Sequence, residues 1–191
     1  EKPVQTELAF SFFNTSVLSL GTIPGGGDWL FAARRGNLDI IADTVNPDVG
    51  SPDYQDFLLH VGWDFGPRLQ FGANMLYSKD KLTLADTGRG EQANANYENQ
   101  VAWLSWKADW TERLRSETTL SIGAIMGRRT GTLDLPQVVN GVLDESRDFD
   151  SIGLRQDWTY VPSKTWMLSF GIEGKHQDAK YRFLSTKTVS P

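Results

Sequence analysis

The chain contains no cysteine in its 191 residues, which removes disulfide scaffolds, thiolate metal sites and cysteine nucleophiles together. Histidine is nearly absent as well. His60 and His176 are the two present, and neither stands in a motif with a nucleophile or a metal partner, so no catalytic arrangement is legible and the chain reads as a non-enzyme without a cofactor. No run of about 18 apolar residues occurs, which excludes a membrane-spanning α-helix. Clustered base is missing too: the 19 Lys and Arg are scattered and the net charge is -5, which argues against nucleic acid as a partner, because a phosphate-binding face needs grouped cations.

None of these absences excludes a membrane protein built from strands, because a transmembrane β-barrel places its hydrophobicity on every second residue. The aromatic content is 12%, with 7 Trp, 10 Phe and 5 Tyr, and 18 Gly accompany it. Period two is the dominant pattern. In residues 55–65, Phe57, Leu59, Val61, Trp63 and Phe65 share one face while His60, Gly62 and Asp64 share the other. The turn Gly66-Pro67-Arg68 leads to Leu69, Phe71, Ala73, Met75 and Tyr77 opposite Gln70, Gly72 and Asn74, completing a hairpin. Four more strands follow, with apolar faces on Ala102 to Trp110, Leu120 to Met126, Ile152 to Tyr160, and Trp166 to Ile172.

Upstream, Trp29 to Arg35 reads as a strand entered from the turn Pro24-Gly25-Gly26-Gly27-Asp28. Two shorter runs, Leu8 to Phe13 and Val17 to Ile23, are expected as strands separated by Asn14-Thr15-Ser16, and Leu38 to Ala42 shows helical spacing. The count comes to eight or nine strands. Short turns are expected at residues 24–28, 66–68, 111–114 and 162–164, and long polar loops at 37–54, 84–97 and 129–147. That alternation, with aromatics such as Trp63, Trp106, Trp110, Trp158 and Trp166 near the short turns, suits an outer-membrane barrel with tight turns at one end and long loops at the other.

Other motifs carry little chemistry. Asp86-Thr87-Gly88 lacks the second Asp that aspartic-protease chemistry needs. Gly25-Gly26-Gly27 lacks phosphate-loop spacing and precedes a strand, and Asp43, Asp48 and Asp53 lack EF-hand spacing, so no metal site is assigned. The polar residues on the non-apolar faces, Arg34, His60, Asp64, Asn74, Lys107 and Arg155, together with Gln70 and Glu173, are the candidates for lining a ligand path through a barrel. Arg34 and Arg35, being adjacent, are expected on opposite faces.

The stretch Gly21-Thr22-Ile23-Pro24-Gly25-Gly26-Gly27-Asp28-Trp29-Leu30-Phe31-Ala32-Ala33-Arg34-Arg35, continuing to Ile41, resembles the early barrel of TonB-dependent receptors, the outer-membrane active transporters of Gram-negative bacteria. In that family a Gly-Pro-like turn leads to a strand ending Ala-Arg-Arg and then to an aromatic-Leu-Asp-Leu-Leu segment. Here Thr22 and Ile23 interrupt the Gly-Pro pair, and Gly36-Asn37 stands where an aromatic is usual. Pro52 to Asp56 and Trp63 to Arg68 are similar to the family's next hairpin.

The resemblance implies an antiparallel up-and-down transmembrane β-barrel domain across residues 1–191, the front part of a larger barrel, with neither plug domain nor TonB box in this chain. It further implies a place in the bacterial outer membrane among its lipids. The implied function is uptake of a scarce small-molecule substrate, such as a siderophore complex, a cobalamin-like molecule or a glycan. The implied partner is the periplasmic energy-coupling protein TonB, acting through a plug. Two other readings fit the same alternation: a small complete outer-membrane barrel with a structural or adhesive role, and a soluble lipocalin-like binder.

Overall fold

The computed structural model describes residues 4–38, 51–86, 90–135 and 139–189. Its elements are all strands: β1 (Gln5–Phe10), β2 (Asn14–Ile23), β3 (Gly27–Gly36), β4 (Ser51–Asp64), β5 (Leu69–Asp86), β6 (Glu91–Thr111), β7 (Leu114–Leu135), β8 (Val139–Ser163) and β9 (Trp166–Val189). Each pairs antiparallel with its neighbours in sequence, so they form one nine-stranded up-and-down sheet. The sheet is open: among the described residues β1 and β9 do not pair with each other and form its two edges. Both are odd-numbered strands of a meander and therefore run in the same direction.

The register divides the side chains into two faces. One is apolar and is built, among others, by Trp29 and Phe31 of β3, Leu59 and Val61 of β4, and Ala73 and Met75 of β5, carried onward by Leu104, Leu120 and Leu154. Counted strand by strand from the short turns to Ala33, Phe57, Tyr77, Gln100, Met126, Ile152 and His176, this face carries no Asp, Glu, Lys or Arg; Asp150 of β8 and Asp178 of β9, in the cross-strand row of Gln100, are the first acids of this face on their strands. The belt is about nine residues long on β5, β6 and β8, which at about 3.3 Å per residue and a tilt near 40° rises roughly 23 Å. Three pairs of polar groups within it bond to one another. Thr118 Oγ1 donates to Gln156 Oε1 at 2.5 Å, Trp110 Nε1 to Ser116 Oγ at 2.9 Å, and Thr6 Oγ1 lies 2.8 Å from Ser19 Oγ.

This sheet has almost no core. Ala108 is the buried hydrophobic residue among those described, while Ile122 is 54% and Leu154 54% exposed. The accessible surface is 13624 Å², where a compact soluble monomer of this length would show roughly 9,000 Å². The excess is largely the uncovered pair of sheet faces.

Several sequence expectations are corrected. The stretches 84–97 and 129–147 are not long loops: β5 runs to Asp86, β6 starts at Glu91, β7 runs to Leu135 and β8 starts at Val139. Their polar residues stand on both faces, so alternation is silent there, yet the backbone ladder continues from the belt below in unbroken register. Of the stretch 37–54, residues 51–54 belong to β4, and residues 39–50, with most of the proposed helical patch 38–42, lie outside the described residues.

The first turn is also displaced. Asn14-Thr15-Ser16 opens β2, and the turn is Ser11-Phe12-Phe13, where Ser11 Oγ accepts from the backbone N–H of Phe13 (3.3 Å) and of Asn14 (3.0 Å). The Gly25-Gly26 turn follows from backbone geometry, because both residues hold φ values of 95° and 99°, a region that side-chain-bearing residues rarely enter.

Candidate functional site

The face opposite the belt carries the ion pairs. All six residues proposed to line a ligand path lie on it: Arg34 on β3, His60 and Asp64 on β4, Asn74 on β5, Lys107 on β6 and Arg155 on β8, with Gln70 and Glu173 beside them. Period two alone puts them there, since each is an odd number of residues from the apolar residues of its strand.

The register decides which of them meet. His60 and Asn74 are direct cross-strand partners, with His60 Nδ1 2.7 Å from Asn74 Oδ1 and His60 Nε2 3.5 Å from Asp28 Oδ2. The Asp28 carboxylate can lie there because residue 62 is glycine; a Cβ at Gly62 would stand 2.6 Å from Asp28 Oδ1. The other four are spread along the strip, and Arg34, Lys107 and Arg155 each have an acid partner of their own. Arg34 Nε donates to Asp56 Oδ2 at 2.8 Å and its guanidinium lies 5.3 Å from the Tyr54 ring centre. Lys107 Nζ is 3.7 Å from Glu117 Oε1, and Arg155 Nε donates to Asp157 Oδ2 at 2.6 Å. Asp64 stands in the row of Gln70 and Lys107. These residues therefore form a ladder of local ion pairs across six strands rather than one convergent pocket.

Arg34 and Arg35 do point to opposite faces: Arg34 joins the polar strip, while Arg35 lies 4.0 Å from Asp53 on the apolar side, just beyond the belt. Asp53 thus belongs to a strand-borne ion pair; Asp43 and Asp48 lie outside the described residues. Among the described residues, the further ion pairs on the apolar side, Asp178 with Lys180 (3.5 Å) and Asp144 with Arg182 (3.8 Å), are beyond the belt as well.

Two features of the polar face escaped the sequence reading. The first is an apolar row, Leu18, Ala32, Leu58, Leu76 and Val101, which makes the early part of the sheet apolar on both sides. It was legible in the consecutive apolar pairs Leu58-Leu59 and Ala32-Ala33, which a single-face alternation does not explain. The second is a cluster far from the short turns. Glu145, 4% exposed, accepts from Arg147 Nε at 2.5 Å and from Arg129 Nη1 at 3.4 Å. The Arg147 guanidinium lies 5.4 Å from the Tyr181 ring centre, and its pKa is raised above the ordinary arginine value, first by the hydrogen bond to Glu145 and then by that carboxylate's charge. No sequence signal marked these residues, because they fall in a stretch with no alternation.

No family model, curated protein or solved structure matches the chain.

Proposed function

We propose that this chain forms part of the wall of a bacterial outer-membrane β-barrel, and that the barrel is a transporter of the TonB-dependent receptor kind, taking up a scarce small molecule. The observation that carries the reading is the charge-free apolar belt, whose height of roughly 23 Å is close to the band of about 25 Å that lipid-facing barrel surfaces present. Two pairs of polar side chains inside it, Thr118 with Gln156 and Trp110 with Ser116, are hydrogen-bonded within the sheet, which suits a hydrocarbon surrounding. Charges on that side begin beyond it.

The open edges support a larger barrel over a small complete one. Because β1 and β9 run the same way, closing this sheet on itself would need a parallel pair, whereas bacterial barrels close antiparallel with an even strand number. A soluble lipocalin-like binder is disfavoured by the uncovered apolar face, on which Ile122, Leu154, Phe170 and Ile172 are each more than half exposed, because soluble monomers rarely leave large contiguous apolar patches. Transport rests on the resemblance carried by residues 21–41 and 52–68. The apolar row Leu18–Val101 on the polar face is in keeping with it, since it offers an interior plug something to pack against. In this reading the long hairpins of β5 to β9 project outward, the short turns face the periplasm, and TonB acts through the plug.

Fractionating a Gram-negative cell that expresses the protein tests the location, and heat-modifiable gel mobility tests the barrel. Recovery in the soluble fraction would overturn the reading. Transport is tested by deleting the gene and measuring growth on limiting ferric chelates, cobalamin or glycans, with and without TonB. A defect that also appears on losing TonB is expected; unchanged uptake across the panel would remove the transport assignment.

A further inference from the structure

We propose that Arg129, Glu145 and Arg147 form a binding subsite for a small anion bearing a flat ring, of which an aryl carboxylate is the simplest form. Stoichiometry singles out the cluster. Elsewhere on the polar face each ion pair joins one base to one acid, as in Arg34 with Asp56, Lys107 with Glu117, Arg155 with Asp157 and Glu173 with Lys175, while Asp28, Asp64 and Asp80 add further acid. Here two guanidiniums share one carboxylate, leaving one positive charge, and arginine does not lose its proton to relieve it.

Among the described residues nothing adjacent compensates that charge. The residues facing the cluster on this side are Ala95 and Tyr97 of β6, Gly127 of β7, and Tyr181 and Phe183 of β9, all neutral. The nearest acid in the same row is Asp80, on β5, three strands from Arg147. Glu145 has both oxygens engaged and is nearly buried, whereas the Arg129 and Arg147 side chains are 50% and 63% exposed. Each guanidinium has five N–H donors, so outward-facing donors remain after Glu145 is served.

The surroundings suit a ring as well as a charge. Tyr181 and Phe183 lie nearly parallel, 15° apart with centres 6.4 Å apart, and both are open to solvent. Arg147 stacks against Tyr181, which holds its donor edge at the border of that platform. A flat anion can therefore rest on the aromatic pair with its carboxylate against the guanidinium edge, making a charge-assisted pair. Gly127 leaves the floor low between Tyr97 and Arg147, since a Cβ there would meet the Tyr97 ring at 3.3 Å.

The assignment of such an anion as cargo rests on the uptake reading; the binding itself does not, and the experiment separates the two. Saturation-transfer NMR on the purified protein would compare benzoate with benzamide, its neutral counterpart, and with acetate, which lacks the ring. Benzoate is expected to bind about tenfold tighter than benzamide, the difference one charge-assisted contact makes. R147Q and R129Q each leave Glu145 one partner, and each is expected to weaken benzoate by about tenfold with unchanged gel mobility. Y181L is expected to weaken benzoate but not acetate. E145Q is the diagnostic variant: it frees a guanidinium, so benzoate should bind more tightly. Equal binding of benzoate and benzamide, or E145Q without gain, would overturn the subsite and leave the cluster as an internal brace between β7 and β8. Benzoate selectivity in a protein found outside the membrane would keep the subsite and sink the uptake reading; membrane location without selectivity would do the reverse.

Discussion

Ile122 and Ser121 are neighbours on β7 whose side chains leave the sheet on opposite sides, Ile122 into the middle of the belt and Ser121 into the polar face beside Gly153. Placing Arg at each in turn asks what surrounds each face. If the belt faces hydrocarbon, Ile122→Arg is costly, about 2–4 kcal/mol at mid-bilayer depth. If it faces water, an Ile already 54% exposed is an ordinary surface site, where a substitution costs within about 0.5 kcal/mol either way. The two environments thus differ by at least about 1.5 kcal/mol, more than a tenfold change in the folding equilibrium. Ser121→Arg is the internal control, because its side chain enters a polar region where glycines at 123 and 153 leave room. The assay is reversible urea titration of the protein in phospholipid vesicles, followed by tryptophan fluorescence, with the three proteins compared in the same lipid. Ile122→Arg is expected to lower stability by about 2 kcal/mol or more while Ser121→Arg stays within about 1 kcal/mol. Equal small losses at both positions, or folding of all three in plain buffer, would refute the assignment of that face to lipid.

Other expectations follow from single contacts. Gly26→Ala, at φ 99° and 3.2 Å from the Asp64 carbonyl oxygen, should cost about 1–2 kcal/mol from the left-handed backbone, read as a lower urea midpoint; no change would mean the turn can relax. Trp158→Leu removes the stack on Trp110, whose rings are 6.4 Å apart and 19° from parallel, and should cost about 0.5–1.5 kcal/mol beyond the lost area; adding Trp110→Leu should then cost less than it does alone. Strand β9 is exposed along all 24 residues, so alternate amides of Trp166–Val189 should exchange rapidly in this chain by itself and become protected if a further strand lies beside β9 in the proposed barrel; equal exchange in the chain and in the assembled barrel would argue against such a strand.

An apolar sheet face of this extent has one practical consequence. In water it would pair with itself or aggregate, and β9, carrying Trp166, Leu168, Phe170 and Ile172 on an unpaired edge, is where such pairing would begin. In a bilayer the same face is satisfied, while the ladder of ion pairs on the opposite side remains hydrated. One set of side chains is therefore stable in one solvent and a liability in the other. This asymmetry makes the solvent comparison decisive for the function.

Much of this arrangement was legible residue by residue. Phe57, Leu59, Val61 and Trp63 alternating with His60 and Asp64 already assigned those six side chains to faces, because successive side chains of an extended chain point to opposite sides whatever they pair with. The turns at 66–68 and near Gly25 were equally plain from Gly and Pro, though the second is shorter than expected, since β3 already begins at Gly27. The segments 91–97 and 129–135 were not, since beyond the belt neither face is apolar and the strand persists through cross-strand backbone bonds that no local pattern encodes. The same reason hid the Arg129–Glu145–Arg147 cluster. Parity can state which face a residue takes, but Arg129 and Glu145, sixteen residues apart, become neighbours through the β7–β8 register alone. Local chain geometry thus set the faces and the turns, whereas the non-local backbone ladder set the lengths of the strands, the open edges and the partner of every charge.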